Sequence, residues 1–263
     1  MRELVVAAVA AAFGGDVDAS FRTIERALGE ARVCGARLVV LPHGALPSLD
    51  DEGSALERLA ALAGDLTVCA GIAPGERAAG DAVAACVSGD GLLGRQRRVA
   101  LLADGRLAPG ARLGAFDTPV GRVGMLVCDD KRLPGAARAL ALDGAEILAF
   151  LSAWPCSGAD ADGCLQDDSE WRLSELWDRA RAAENQVLVA AANQSGSRGA
   201  TRFLAGARIV GPDGDPLAAT GTGCGIALAR LDLRGVLARA RRAMAPLRDR
   251  RPDVYRLAAA LPA

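Results

Sequence analysis

Apolar and polar positions along this chain follow two alternating rhythms. Short unbroken apolar runs read as strands, and between them lie segments whose apolar residues recur every three or four positions, as on one helix face. "ELVVAAVA" opens the chain as a strand, and "DASFRTIERALGEARVCG" follows as an amphipathic helix. That helix places Phe21, Ile24, Leu28 and Ala31 on one face, with Gly35 near its end. "RLVVLP" is the next strand and "GSALERLAALAGD" the next helix; "LTVCAGIA" and "DAVAACVSGDGLLG" read as strands joined by Gly-rich turns. The alternation then repeats, with strand "GRVGMLVC", helix "LPGAARALALDGA", strand "EILAFLSA" and helix "SEWRLSELWDRARAAENQ". "VLVAAANQSG", "ARIVGPDGDPLAA" and "GIALARLDL" are late strands, with "PDGD" as a hairpin turn.

This order predicts a single α/β domain with sheets inside and helices outside. The 263 residues allow one large core, and no linker, low-complexity tract or short repeat divides them. The Arg-rich stretch from about residue 240 to 263 reads as a solvated tail or a subunit-contact arm.

Composition narrows the function classes. The chain is 51% hydrophobic and 24% charged with a net charge of −1, so it has no global basic field for nucleic acid or anionic lipid. Neither a nucleic-acid nor a membrane partner is expected, and no apolar stretch is long enough to span a bilayer. Seven widely spaced cysteines without CxxC pairs suggest neither a disulfide framework nor a zinc site, and fit a reducing cytoplasm. No metal or organic cofactor is expected. Glu3 spoils the positive region that a signal peptide would need.

The chemistry concentrates in "GRVGMLVCDDKRLPGAARALAL". A buried strand runs to Cys128 and stops at a sharp polar turn, and a helix follows. A side chain there is held at the carboxyl edge of the sheet, where α/β sites usually lie. Amides of the turn and the helix N-terminus favour a thiolate and a developing oxyanion. Asp129 and Asp130 push the other way, because nearby negative charge raises a thiol pKa. From position alone, a buried structural cysteine is an equal reading. His43, the only histidine, stands just past the strand "RLVVLP".

The segment resembles the nucleophile region of the nitrilase (carbon–nitrogen hydrolase) superfamily, G-[RK]-[IV]-G-x-x-[IV]-C-[YW]-D-x-x-[FL]-P-E-x-x-R. Gly121, Gly124, Cys128, Asp130, Pro134 and Arg138 match. "GARLVVLPH", "RQRRVALL", "PGARLGAFDTP", "RARAAENQVLVAAANQSG", "FLAGARIVGPDGDPLA" and "LRDRRPDVY" resemble further family stretches in the same order, over nearly the whole chain. The resemblance implies a four-layer α-β-β-α sandwich in one domain, paired as a homodimer or a higher homo-oligomer. It also implies a Glu-Lys-Cys triad that hydrolyses amides, carbamoyl groups or nitriles through a thioester-type intermediate.

Several family positions are changed. His43 falls where the family has its glutamate, Arg98 where it has its lysine, and Ala100 where a histidine is usual. Asp129 replaces an aromatic, Gly135 a glutamate and Ala207 a serine, and Asp104 is a weak counterpart of a second acidic residue. Three readings stay open. In a reworked amidase-like enzyme, Cys128 is the nucleophile, His43 the base and Arg98 the charge stabiliser. Asp129 or Asp130 would orient the imidazole, and Lys131 would partly replace the lost amine. This reading expects a thiolate–imidazolium pair that alkylates quickly below pH ~7. In a pseudoenzyme, the site binds a small acid or a partner subunit. In the third reading, His43 only caps a strand. Trp154, in the long loop after "EILAFLSA", together with Asp129 and Lys131, is the candidate substrate contact; the substrate expected is a small amide or acid.

Overall fold

The computed structural model describes residues 3–14, 16–46, 52–73, 82–100, 112–157 and 165–254. Asp104, the loop around Asp160, Cys164 and residues 255–263 of the proposed arm lie outside the described residues.

In chain order the elements are β1 (Leu4–Ala11), α1 (Val17–Val33), β2 (Leu38–Val40), α2 (Glu52–Ala63), β3 (Thr67–Ile72), β4 (Val83–Ser88) and β5 (Gly91–Arg97). Next come β6 (Phe116–Thr118), β7 (Gly121–Val127), α3 (Pro134–Leu142), β8 (Ile147–Ser152), α4 (Ser169–Asn185) and β9 (Leu188–Gln194). The chain continues with β10 (Ser197–Arg198), β11 (Thr201–Arg202), β12 (Arg208–Val210), β13 (Pro216–Ala219), β14 (Gly225–Leu231) and α5 (Leu233–Ala243). Local chemistry starts the helices where the sequence suggested. Asp16 accepts the amide of Ala19 at the head of α1, and Asp168 accepts that of Glu170 at the head of α4. Pro42, which has no N–H to donate, follows soon after β2 and keeps that strand to three residues.

Two sheets form. One runs β14-β1-β2-β3-β4-β5 and the other β13-β12-β9-β8-β7-β6. Each has a parallel centre, β1-β2-β3 or β7-β8-β9, flanked by antiparallel strands. Among the described residues they join where β1 meets β9, through the pairs Ala10↔Asn193 and Ala11↔Gln194.

The layers follow from side-chain alternation. Leu4, Val6, Ala8 and Ala10 of β1 face Val123, Met125, Val127, Ile147 and Ala149 across the sandwich. Val5, Ala7 and Val9 point the other way, onto Phe21, Ile24 and Leu28 of α1 and Leu59 of α2. On the far side, Leu126, Leu148, Phe150 and Val189 pack on Leu140 of α3 and Ala182 of α4. The result is the α-β-β-α sandwich. Because both faces of every central strand are buried, those strands read as continuous apolar runs rather than alternating ones.

The proposed arm boundary near residue 240 falls inside α5. This helix is docked, with Leu233 and Leu237 buried. Gln186, in a left-handed conformation at the end of α4, donates from Nε2 to the carbonyl of Ala240 at 2.8 Å and to that of Met244. Leu247 packs against the α3–α4 layer. Residues 240–247 are thus attached to the body rather than solvated throughout. Leu237→Ala is expected to lower stability by about 2 kcal/mol, the low end for a buried leucine, as read by urea unfolding; an unchanged midpoint would mean that α5 is not part of the cooperative fold.

Candidate active site

The site lies at the carboxyl ends of the parallel strands, as the sequence placed it. β7 delivers Cys128, the first residue of a 3-10 turn, Cys128–Arg132. Cys128 has φ +48°, a left-handed conformation that costs a side-chain-bearing residue about 1–2 kcal/mol. Such strain persists only where the surroundings over-determine it.

Asp130 supplies much of that restraint. Its carboxylate is fully buried and accepts three backbone amides, those of Val99 at 2.9 Å, Ala100 at 2.7 Å and Val127 at 3.1 Å. One side chain thereby ties the residue before Cys128 to the two residues after Arg98. Burial raises the Asp130 pKa, against the amide donors that hold the charge. The carboxylate is therefore committed to the backbone. Asp129 is also occupied, with Arg98 on one oxygen and Arg132 on the other, each at 3.4 Å. Neither aspartate orients the imidazole, which corrects that sequence expectation: His43 Nδ1 is buried without a hydrogen-bond partner.

His43 follows β2, and its carbonyl accepts Gln194 Nε2 at 3.1 Å. The same glutamine accepts the amide of Phe13 at 3.0 Å, so the end of β9 is bonded to two segments of the other sheet. Gly71 of β3 permits the approach, because a Cβ there would lie 2.3 Å from His43 Cα. Arg98 follows β5 and is anchored by its amide to the Ala82 carbonyl at 2.8 Å. His43 and Arg98 are each only 8% exposed, and Arg98 Nε and Nη2 have no partner.

These three residues line one cavity of about 450 Å³, shared with Asp129, Arg132, Trp154, Glu170 and the stretch from Ala153 to Ser157. The Cys128 sulfur accepts the Ala153 amide at 3.5 Å. Trp154 is held by its amide to Asn193 Oδ1 and by Nε1 to Glu170 Oε2, each at 2.8 Å. A larger cavity, about 640 Å³, lies away from these residues, between the start of β1, the β6–β7 turn and the start of α5.

Of the candidate substrate contacts Asp129, Trp154 and Lys131, Lys131 is the exception. It does not line the cavity, and its ammonium is buried, bonded to Ser174 Oγ at 2.7 Å and Asp178 Oδ1 at 2.9 Å. Arg132 and Glu170, by contrast, do line the cavity and were not singled out. Arg132 sits over both Trp154 and Trp177, which no local pattern reveals.

The electrostatics also correct the expected thiolate. Burial, Asp129 and Asp130 push the Cys128 thiol up to about 12, against the Ala153 amide and Arg98. Burial first, then Arg98 and Arg198, bring His43 down to about 4. At neutral pH the site rests as thiol and neutral imidazole. Among the described residues no group of three His, Cys, Asp or Glu side chains is placed to hold a metal ion, and no helix is long and apolar enough to cross a membrane.

The chain belongs to the carbon-nitrogen hydrolase family, the nitrilase superfamily, whose family model matches residues 5–241. It is similar to the deaminated glutathione amidase of Homo sapiens, 38% identical over 149 residues, which is 56% of this chain and 42% of that one. It is also similar to the omega-amidase NIT2 of Homo sapiens, 33% identical over 150 residues, or 57% and 50% of the two chains. The chain spans about half the length of these curated relatives. In fold it is similar to a carbon-nitrogen hydrolase from Helicobacter pylori G27, with a TM-score of 0.82 at 24% identity over 96% of this chain and 97% of that one.

Proposed function

We propose that this protein is an amidase-like thiol hydrolase, or acyl transferase, acting on a small amide or carbamoyl compound. The observation that carries this reading is convergence. Cys128, His43 and Arg98 come from three separate strand ends and line one cavity, where Cys128 is half-buried.

In this proposal the Cys128 sulfur attacks the carbonyl carbon while its proton passes to His43. The resulting oxyanion forms beside the Arg98 guanidinium, which holds positive charge but cannot shuttle a proton. His43 returns the proton to the departing amine, leaving a thioester on Cys128. Water, deprotonated by His43, then releases the acid and regenerates the thiol.

Magnitude decides how the first proton moves. A thiol near 12 and an imidazole near 4 differ by about 8 pH units. Complete proton transfer before attack therefore costs about 11 kcal/mol, less the attraction between the ions formed. An enzyme turning over at about 10 per second has a total barrier of about 16 kcal/mol. Stepwise ionisation would leave only about 5 kcal/mol for bond formation. Transfer concurrent with attack is the economical route. The same gap favours the second reading, a non-catalytic relative that binds a small acid or a partner subunit. A cytoplasmic location and assembly as a homodimer or higher homo-oligomer belong to this proposal too.

The test is ammonia release from a panel of small amides and carbamoyl compounds, with intact mass spectrometry for the thioester. The wild type is expected to release ammonia, His43→Ala to be slower by about 10²–10⁴-fold, and Cys128→Ala to release none. Absence of ammonia and of any adduct, with Cys128 still open to iodoacetamide, would leave the non-catalytic relative.

A further inference from the structure

The lysine that does not line the cavity belongs to a buried charge cluster directly behind the nucleophile turn. Lys131 is 2% exposed and Asp178 1%. The Asp178 carboxylate is shared, with Oδ1 accepting Lys131 Nζ and Oδ2 accepting Arg208 Nη1, each at 2.9 Å. Aromatic faces cover both cations. The Lys131 ammonium lies 5.0 Å from the Trp154 ring and the Arg208 guanidinium 4.8 Å from the Trp171 ring. Two cations share one carboxylate, so the cluster carries a net charge of +1 in a dry environment.

That surplus charge is joined to the sulfur through rigid backbone. Lys131 lies three residues after Cys128 in one 3-10 turn. From α4, Arg181 donates Nε to the Lys131 carbonyl and Nη2 to the Arg132 carbonyl, each at 2.9 Å. Burial lowers the Lys131 pKa, while Asp178 and, least of all, Cys128 favour its charge.

A buried ion cluster of this kind is weak evidence for stability, because well-packed apolar side chains often replace one without loss. Its placement suggests another use. We propose that Lys131, Asp178 and Arg208 form a positioning cluster that fixes the Cys128 turn and supplies positive charge behind the sulfur, favouring the thiolate as it develops. This rests on reading Cys128 as the nucleophile. The sulfur shares its cavity with His43 after β2, Arg98 after β5, Asp129 on its own turn, Arg132 and Glu170, and it feels the charges of Arg98, Asp129 and Asp130. The cluster acts against the two aspartates, from the side away from the cavity.

The experiment is site-resolved alkylation of Cys128 in the full chain with iodoacetamide at pH 7.5–9.5, which needs no turnover and so stands apart from the amide-hydrolysis test. Lys131→Met neutralises the cluster while leaving the Asp178–Arg208 pair intact. It should cut the thiolate fraction about tenfold and the observed rate about threefold, because a more basic sulfur is also more nucleophilic. Arg208→Met likewise brings the cluster to zero, leaving the Lys131–Asp178 pair, and should slow alkylation in the same direction. Lys131→Arg should stay within about twofold of wild type, since it keeps the charge. Slower alkylation cannot come from loosening alone, because a loosened turn exposes the sulfur. Unchanged or faster rates would make the cluster a packing element only. Should Lys131→Met fail to fold, the slowing in Arg208→Met decides the matter by itself.

Discussion

Asp130→Asn should lower the thermal midpoint by roughly 10 °C, from a loss of about 4 kcal/mol spread over a domain of this size. The side chain is fully buried, and both carboxylate oxygens accept backbone amides. Asparagine keeps the shape but turns one acceptor into a donor. An NH2 group would then face amide N–H groups, with no water to relieve either. Leaving a buried polar group unsatisfied costs about 1–3 kcal/mol, and loss of a charge-assisted bond adds to it. The effect is local as well as global. Those amides belong to the residue before Cys128 and the two after Arg98, so the variant should also loosen the spacing between sulfur and guanidinium. Differential scanning calorimetry checks the first part. A midpoint within 2 °C or so of wild type would show that the carboxylate does no more than fill space.

Acid should remove about 3 kcal/mol of stability between pH ~6.5 and ~4, through His43 alone. Its imidazole is brought from 6.5 to about 4 in the folded protein, chiefly by burial and then by Arg98 and Arg198. Above pH ~6.5 neither state is protonated and the contribution is flat. As pH falls, the unfolded chain takes up a proton that the folded chain refuses, and stability drops. Near pH 4 the folded state also protonates and the loss stops growing. The sequence makes the experiment clean, because it has one histidine and most carboxylates titrate lower. Urea midpoints at several pH values between 7 and 5 should fall for wild type and stay level for His43→Gln. Parallel curves for the two proteins would mean that the imidazole is not held neutral by its surroundings.

The fold was legible where burial was complete. β1, β7 and β8 are apolar without interruption because each lies between another sheet and a helix layer, and α1 and α3 carry their apolar stripe openly. α5 was not legible. Leu233 and Leu237 are a proper one-turn pair, but the arginines around them read as solvent-exposed chain. At the site, Cys128 could be found because a strand, a polar turn and a helix meet at one residue. Lys131 was misplaced for a long-range reason. Its partner Asp178 is 47 residues away on a helix whose sequence gives no sign of a buried acid. The expected thiolate failed for a related reason. Turn amides were visible in the sequence, whereas desolvation of the sulfur depends on what closes around it in three dimensions.

The short ladder joining the two sheets has a wider meaning. Imidazole and guanidinium hang from one sheet and sulfur from the other, so the gap the reaction must cross is the thickness of the layer between them. That layer sets alanines, among them Ala8, Ala84, Ala149, Ala190 and Ala227, between larger side chains such as Leu38, Met125 and Leu188. A single extra carbon deep in this seam, touching none of the reacting groups, would pry them apart. Under the proposed mechanism, volume at a distance would tune reactivity.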